Sequence, residues 1–377
     1  MSKSLISRRP AFRRGATSGA QSGPSAGENP LRQLGWKPFF QQQLSLEELG
    51  DCEAVRVMAV HRSQIEVAGE QGEESVLVSG GLFEDAEEKP TVGDWLLLNR
   101  ATRKPERRLE RSSLFRRMAP GGQGVQLIAA NVDNVLIVSS CNHDFNLSRV
   151  ERYLALVREA GCRVCLVLTK ADLSDDHEQY REALRHHRDL PVVLVNALDT
   201  DSIAPLRDWC GPGETLALLG SSGVGKSTLL NSLAGTELAA TSGIREDDSK
   251  GRHTTRHRAL YSISGGGLLL DSPGMRELGL ANAEHGLAET FADIGELAQQ
   301  CRFADCAHES EPGCAVRQAM ESGELDERRL HNWHKLEREV ARNNRTLAQT
   351  RADDRALGQF YRSVQGHARA RKSGEDE

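Results

Sequence analysis

Residues 220–228 read Gly-Ser-Ser-Gly-Val-Gly-Lys-Ser-Thr. This is G-x-x-x-x-G-K-S, and its chemistry is the cradling of a polyphosphate. Gly220, Gly223 and Gly225 permit backbone conformations closed to residues with a Cβ. The loop N–H groups, from Ser221 and Ser222 through Val224 to Thr228, face the α- and β-phosphates together with the start of a helix. Lys226 brings a point charge to the β- and γ-phosphates. Ser227 offers a hydroxyl to Mg2+. A second group with chemical potential is Cys301-x4-Cys306-x-His308-x5-Cys314. Three thiolates and an imidazole at such spacings match a closed, tetrahedral, structural zinc site with no position left open for catalysis.

The elements around the loop fit its use. Residues 214–219 are short, apolar and strand-like, and residues 229–233 continue with helical spacing. Directly after the apolar run 163–168 stands Thr169-Lys170-Ala171-Asp172. It is a variant of N-K-x-D, the guanine signature of GTPases. The guanine edge presents two donors, N1–H and the 2-amino group. A fixed carboxylate at Asp172 accepts both, and adenine presents neither in that arrangement. The Lys170 stem lies over the base and ribose. Thr169 replaces the commoner Asn, which is expected to loosen local hydrogen bonding and leave the selector intact. Asn196-Ala197 follows the strand-like run 190–195, where GTPases carry Ser-Ala. The Ala197 N–H would meet guanine O6, and Asn196 departs from the usual Ser.

The γ-phosphate end comes later in the chain. Residues 241–255 are polar and end in Gly251-Arg252-His253-Thr254-Thr255, which suits a switch ordered by γ-phosphate and Mg2+. Thr254 or Thr255 supplies its hydroxyl, and the residues alone do not choose between them. A strand over 267–270 leads to Asp271-Ser272-Pro273-Gly274, a D-x-x-G motif. Asp271 would hold Mg2+ through water, and the Gly274 N–H would touch the γ-phosphate. The next position often carries the Gln that orients the attacking water, and here it is Met275. Slow intrinsic hydrolysis that needs a partner is therefore expected. His253 is a candidate replacement, set against the plainer reading of a structural histidine.

The guanine-reading motifs precede the phosphate loop and the switches follow it, so the order of an ordinary GTPase is circularly permuted. Strand and helix alternate to about residue 280, which predicts a parallel sheet with helices on both faces. One helix is expected over 148–160, capped by Ser148 and stopped by Gly161. Upstream, residues 51–122 hold strand-like runs at 54–60, 63–68, 75–79 and 94–98. They predict a small barrel: an oligonucleotide-binding barrel is one candidate, a β-module that only packs on its neighbour the other. Arg107, Arg108, Arg111, Arg116 and Arg117 read as a basic loop able to meet phosphates. Residues 31–48 form a docking segment with no evident target. The arm before them carries Lys3, Arg8, Arg9, Arg13 and Arg14, as a phosphate-seeking arm or a solvated tail. Residues 325–350 repeat with helical spacing and read as a solvated helix.

Bulk properties exclude some classes. The 377 residues carry a formal charge of −6, so the molecule is not a basic nucleic-acid binder as a whole. Eight cysteines in a chain of this length do not form a disulfide scaffold and point to a reducing cytoplasm. No stretch reads as a membrane span or a secretory signal.

The barrel, the permuted order, the G-R-H-T-T switch, D-S-P-G and the zinc spacing together resemble the ribosome small-subunit-dependent GTPase family (RsgA, also called YjeQ). The resemblance implies a multidomain chain: an N-terminal all-β OB-fold barrel, a circularly permuted α/β P-loop GTPase domain and a zinc-binding helical domain. The division expected is a basic, largely disordered extension at 1–48, the barrel at 49–122, the GTPase domain at 123–285, the zinc domain at 286–350 and a charged tail at 351–377. It further implies hydrolysis of GTP to GDP and phosphate by a cytoplasmic monomer, with Mg2+ and one structural zinc ion. Lys226, Asp271, Gly274 and His253 would be catalytic. The setting would be late 30S maturation on 16S rRNA, with turnover stimulated by the subunit and release on hydrolysis. A divergent paralogue acting on another RNA or protein is the alternative. A P-loop enzyme acting on a small metabolite is a reading from another class, and Asp172 speaks against it.

Overall fold

Short apolar runs become strands, and capping residues decide where the helices between them begin. The computed structural model describes residues 29–61, 63–78, 87–118, 125–235, 259–263, 265–271 and 278–344. The basic arm, the switch at 241–255 and the 351–377 tail lie outside the described residues.

Three short helices come first: α1 (Pro30–Gln33), α2 (Pro38–Gln41) and α3 (Leu46–Asp51). Pro30 and Pro38 occupy the first turn, where a missing N–H costs nothing, and Ser45 and Glu48 cap α3 reciprocally. Strands β1 (Cys52–Val60), β2 (Gln64–Gly69), β3 (Gly72–Leu77), β4 (Trp95–Asn99) and β5 (Pro105–Arg108) pair antiparallel in the order β3-β2-β1-β4-β5. Val55, Val57, Ile65, Val67, Leu96 and Leu98 form their core. The five strands form the antiparallel sheet of the expected barrel unit, and among the described residues no pairing of β3 with β5 closes it. A separate hairpin, β6 (Leu114–Met118) and β7 (Val125–Ala130), leads into the next unit and crosses the boundary expected at residue 122.

That unit contains β8 (Asn134–Ser140), α4 (Leu147–Glu159), β9 (Arg163–Thr169), α5 (Glu178–Ala183), β10 (Val192–Leu194), β11 (Thr215–Leu219), α6 (Lys226–Ala234), β12 (Ala259–Ser262) and β13 (Leu268–Asp271). The strands run β10-β9-β8-β11-β13 in parallel, with β12 antiparallel beyond. Strands β8 and β11 are buried throughout, as unbroken apolar runs require when both faces are covered. Helix α4 begins one residue earlier than expected. Asn146, not Ser148, is its cap, accepting the Arg149 N–H at 2.9 Å, whereas Ser148 lies inside the first turn. Gly161 ends the helix at φ +71°, as expected. Ala259 pairs with Ala59, so both sheets run into one of eleven strands. The chain closes with α7 (Glu284–Thr290), α8 (Ala292–Ala298), α9 (Ala315–Glu321) and α10 (Glu327–Asn343). No helix of the described residues is long and apolar enough to cross a membrane.

The docking segment has its target. Leu31 and Phe40 are buried against Cys52, Ala54, Trp95, Leu97 and Leu109, and Trp36 meets Trp95 edge-on at 4.7 Å. At this junction Arg56 is 1% exposed. Its guanidinium donates to the Leu34 carbonyl, to the Asn131 carbonyl at 2.9 Å and to the Thr215 hydroxyl at 2.8 Å, and it lies 5.7 Å from the Trp95 ring centre. One side chain thus ties the leading segment to both sheets. Burial pushes its pKa down to about 10, against the pull of Asp133 and Asp94, so it stays charged at neutral pH. Arg56→Leu leaves three acceptors without a donor. It is expected to lower unfolding stability by about 3 kcal/mol. Denaturant titration checks this, and a loss under about 0.5 kcal/mol would contradict it.

Candidate phosphate and guanine site

The phosphate loop stands between β11 and α6, at the carboxyl end of the parallel strands, where open α/β sheets hold their ligands. Ser222 and Gly223 are exposed, and Val224 is buried beneath them. Gly220 is required by packing: a Cβ there would lie 2.3 Å from the Val138 carbonyl oxygen of β8. Gly225, at φ +93°, starts α6 and puts Lys226 at its first position. The Lys226 ammonium donates to the Ser221 carbonyl and curls over the loop. Ser227 and Thr228 follow in the first turn of α6.

The next strand ends arrive beside this loop. Thr169, fully buried at the end of β9, has its hydroxyl 2.6 Å from the Val224 carbonyl and 3.1 Å from the Ser139 carbonyl. The expected loosening is therefore absent, because Thr169 itself ties the base-reading turn to the phosphate loop. Lys170, in the left-handed region at φ +57°, crosses the site and donates to the Gly223 carbonyl at 3.1 Å. Ala171 donates its N–H to the Val195 carbonyl. Asp172 is exposed and accepts no hydrogen bond among the described residues, which leaves its lone pairs for two donors. Asn196 accepts the Leu198 N–H at 3.0 Å and so folds the turn that presents Ala197, a role for the side chain that its sequence left unassigned. The Ala197 carbonyl accepts from Ser232 of α6 at 2.7 Å. Asp271 ends β13 opposite Ala259. His253, Thr254, Thr255, Gly274 and Met275 lie outside the described residues.

Sequence reasoning missed one partner of the loop. Arg149, in the first turn of α4, donates to the Ser221 hydroxyl at 2.9 Å, and that hydroxyl lies 3.2 Å from Asp144. No sequence signal points to it: the adjacency of β8 and β11 in the sheet is what sets the loop after β8 beside the phosphate loop.

The cysteine cluster comes together as expected. The ligand atoms of Cys301, Cys306, His308 and Cys314 lie within 4.8 Å of one another. The Cys301 and Cys314 sulfurs are 3.9 Å apart, and each is 3.6 or 3.5 Å from His308 Nδ1. A metal about 2.3 Å from each sulfur in a tetrahedron sets sulfur pairs about 3.8 Å apart, so the donor set fits.

Two electrostatic expectations are corrected. The five barrel arginines are engaged within the molecule. Arg107 pairs with Glu48, Arg108 with Glu88 at 2.9 Å, Arg111 with Asp94 at 2.7 Å and Arg116 with Glu87 at 3.7 Å, while Arg117 donates to Gln126. Neighbouring strands and turns set a carboxylate opposite four of them, so the expected open basic loop does not form. Nor is α10 a solvated helix. Leu330, Leu336 and Val340 are buried, and Arg329 is 1% exposed, bonded to Glu151 at 2.9 Å and to Asp293 at 2.7 Å. Arg328 and Asn332 also donate to Glu151. Burial raises the Glu151 pKa, but the His187 and Arg328 hydrogen bonds and the arginine charges prevail and hold it at about 2.

Strand order and motif order together define a circularly permuted P-loop GTPase. The RsgA GTPase family model matches residues 108–281. A Vibrio parahaemolyticus protein, small ribosomal subunit biogenesis GTPase RsgA 2, is 50% identical over 346 residues, spanning 91% of this chain and 95% of its own. A Mesorhizobium japonicum protein, small ribosomal subunit biogenesis GTPase RsgA, is 44% identical over 325 residues, 85% and 92% of the two chains. Among solved structures, YjeQ from Thermotoga maritima matches with a TM-score of 0.56 and 26% identity, over 77% of this chain and 99% of that one. YloQ, described as a circularly permuted GTPase, matches at 0.55 and 25%, over 78% and 97%. The chain belongs to the RsgA GTPase family, and its activity is hydrolysis of GTP.

Thr169→Val keeps the side-chain shape and deletes the tether. The KM for GTP is expected to rise about tenfold, the equivalent of one buried carbonyl left unpaired. Steady-state kinetics with a circular-dichroism control checks this, and an unchanged KM would contradict it.

Proposed function

We propose that this chain is a GTP-driven switch on the small ribosomal subunit during its late maturation, stimulated by the subunit and released when GTP becomes GDP and phosphate. The observation that carries this reading is the 50% identity, over 95% of its length, to a relative named for small-subunit biogenesis. In this reading Asp172 accepts N1–H and the 2-amino group of guanine, the Ala197 N–H meets O6, and Lys170 covers the base. Residues 220–228 wrap the phosphates with Lys226 as their fixed charge. Ser227, Asp271 and one of Thr254 and Thr255 hold Mg2+, and Gly274 touches the γ-phosphate. Met275 cannot orient water, which motivates both the need for a partner and the assignment of His253 as a substitute.

Cys301, Cys306, His308 and Cys314 hold one zinc ion as a staple of the helical domain. The domain division follows the one read from the sequence, with the docked segment at 29–48 joined to the barrel unit and the boundaries near 122 and 285 set so as not to split the β6–β7 hairpin or α7. The protein works as a cytoplasmic monomer. Contact with 16S rRNA falls to cations not already paired. Lys335, Arg338 and Arg342 are exposed along one face of α10, and none is within ion-pair distance of a carboxylate among the described residues. Their spacing of three and four places them in one row, suited to a phosphate backbone.

GTP turnover by the full-length protein, alone and with 30S, 50S or 70S particles at fixed salt, tests the reading. A rise of about a hundredfold or more with 30S alone is expected, in line with help supplied to an incomplete site. No rise with any particle would overturn the reading and favour a paralogue with another partner.

A further inference from the structure

The permuted order makes the chain leave the γ-phosphate region and run straight into the helical domain, and the structure holds that exit from both sides. The described chain resumes at Leu278, which is buried, as are Leu280 and Ala283. Arg152 of α4 donates to the Leu278 carbonyl at 3.2 Å and clasps both carboxylate oxygens of Glu339 on α10, one at 2.7 Å. The Leu280 N–H points to the same carboxylate at 3.5 Å. Asn343, one turn further along α10, donates to the Leu280 carbonyl at 2.6 Å. Asn344 accepts the Asn282 N–H at 2.7 Å. The backbone of residues 278–282 is therefore bonded to α4 and α10 at successive positions.

Helix α10 also reaches the other units. Its first turns carry the Glu151–Arg329 cluster, and Trp333 lies 5.8 Å from the His308 ring in the metal cluster. Arg152 is the residue after Glu151, so one turn of α4 holds α10 at two places. A displacement of α10 must pull on Leu280, whose N–H and carbonyl face Glu339 and Asn343 of that helix, and on Leu278 through Arg152, which binds both Glu339 and the Leu278 carbonyl. The pair is largely shielded, with Arg152 27% and Glu339 16% exposed, so solvent screens it only in part. Arg152 also holds the Glu339 carboxyl below its usual range, although burial opposes this.

We propose that Arg152, Glu339 and Asn343 are positioning residues that latch α10 and α4 to the backbone of residues 278–280, the stretch that follows the D-x-x-G motif in the chain, so that a partner gripping α10 alters GTP turnover. The latch itself follows from these contacts. That the gripping partner is the small subunit rests on the function proposed above. By linkage the coupling is reciprocal: γ-phosphate must alter α10 as a grip on α10 alters hydrolysis.

The test uses full-length, zinc-loaded wild type, Glu339→Gln and Asn343→Ala. Hydrogen exchange of peptides covering 327–343 is measured with Mg-GDP and with a non-hydrolysable GTP analogue. The wild type is expected to exchange about fivefold more slowly with the analogue, and both variants to lose that dependence. Equal dependence in all three proteins, or none in the wild type, would overturn the latch. In a second arm, turnover with 30S is divided by turnover without it. This ratio is expected to fall about fivefold or more in the variants. A merely structural role cannot produce that, because inactive protein lowers both rates alike. Unchanged ratios in the variants beside a stimulated wild type would overturn the latch. A wild type with nucleotide-dependent exchange but no stimulation would overturn the small-subunit reading and leave the latch standing.

Discussion

The hydroxyl of Thr169 lies 2.6 Å from the carbonyl of Val224, and the organisation of the site depends on that contact. It joins the turn proposed to read a base to the loop proposed to hold phosphates, although 55 positions separate them in sequence. The contact exists because β9, β8 and β11 are adjacent and parallel, so their carboxyl ends meet on one edge. Gly220 permits that approach, since any side chain there would strike Val138. Sheet, glycine and threonine are thus parts of one constraint. A nucleotide can span the base turn and the phosphate loop only while they keep this spacing.

Permutation changes what lies downstream of the site. With the turns after β9 and β10 placed before the phosphate-loop motif, the sheet ends on β13 with Asp271 of D-x-x-G, and the helices α7 to α10 come next among the described residues. That domain is fixed by charges that are expensive to bury. Glu151 and Arg329 are almost wholly removed from water and persist because their hydrogen-bonding positions are met by Arg328, Asn332, Asp293 and the Thr290 carbonyl. Such a cluster adds little net stability over an apolar one, but a partial version would be strongly unfavourable. It therefore fixes how α10 sits on α4. Arg56 does the same at the other end of the molecule, between the leading segment and the two sheets.

Much of the proposed nucleotide site could be read from the sequence because its motifs are local in the chain, and the strand ends carrying them do come together. A glycine-rich loop between strand and helix, Thr169–Asp172 after an apolar run, and four candidate ligands in one short segment each suggest a use without the fold. The parallel sheet was legible from apolar runs too long to alternate. What stayed hidden was pairing across long separations. Nothing in the string Arg107-Arg108 or Arg116-Arg117 shows that Glu48, Glu88 and Glu87 wait opposite, so a paired surface reads as a free one. Arg329 among acids reads as solvated for the same reason. The Asn146 cap was missed because Ser148 is an equally good capping residue two positions on, and only the hydrogen bond decides. Arg56 gave no signal, since a lone arginine in a strand is ordinary until three carbonyl and hydroxyl oxygens converge on it.

The central claim is that nucleotide state governs attachment to the small subunit. The most direct measurement is the affinity of the full-length protein for 30S particles with a non-hydrolysable GTP analogue and with GDP, at one fixed salt concentration. The account predicts binding at least about tenfold tighter with the analogue, a difference of about 1.4 kcal/mol. Equal affinity in the two nucleotide states would contradict it, since a ligand without differential affinity shifts no equilibrium.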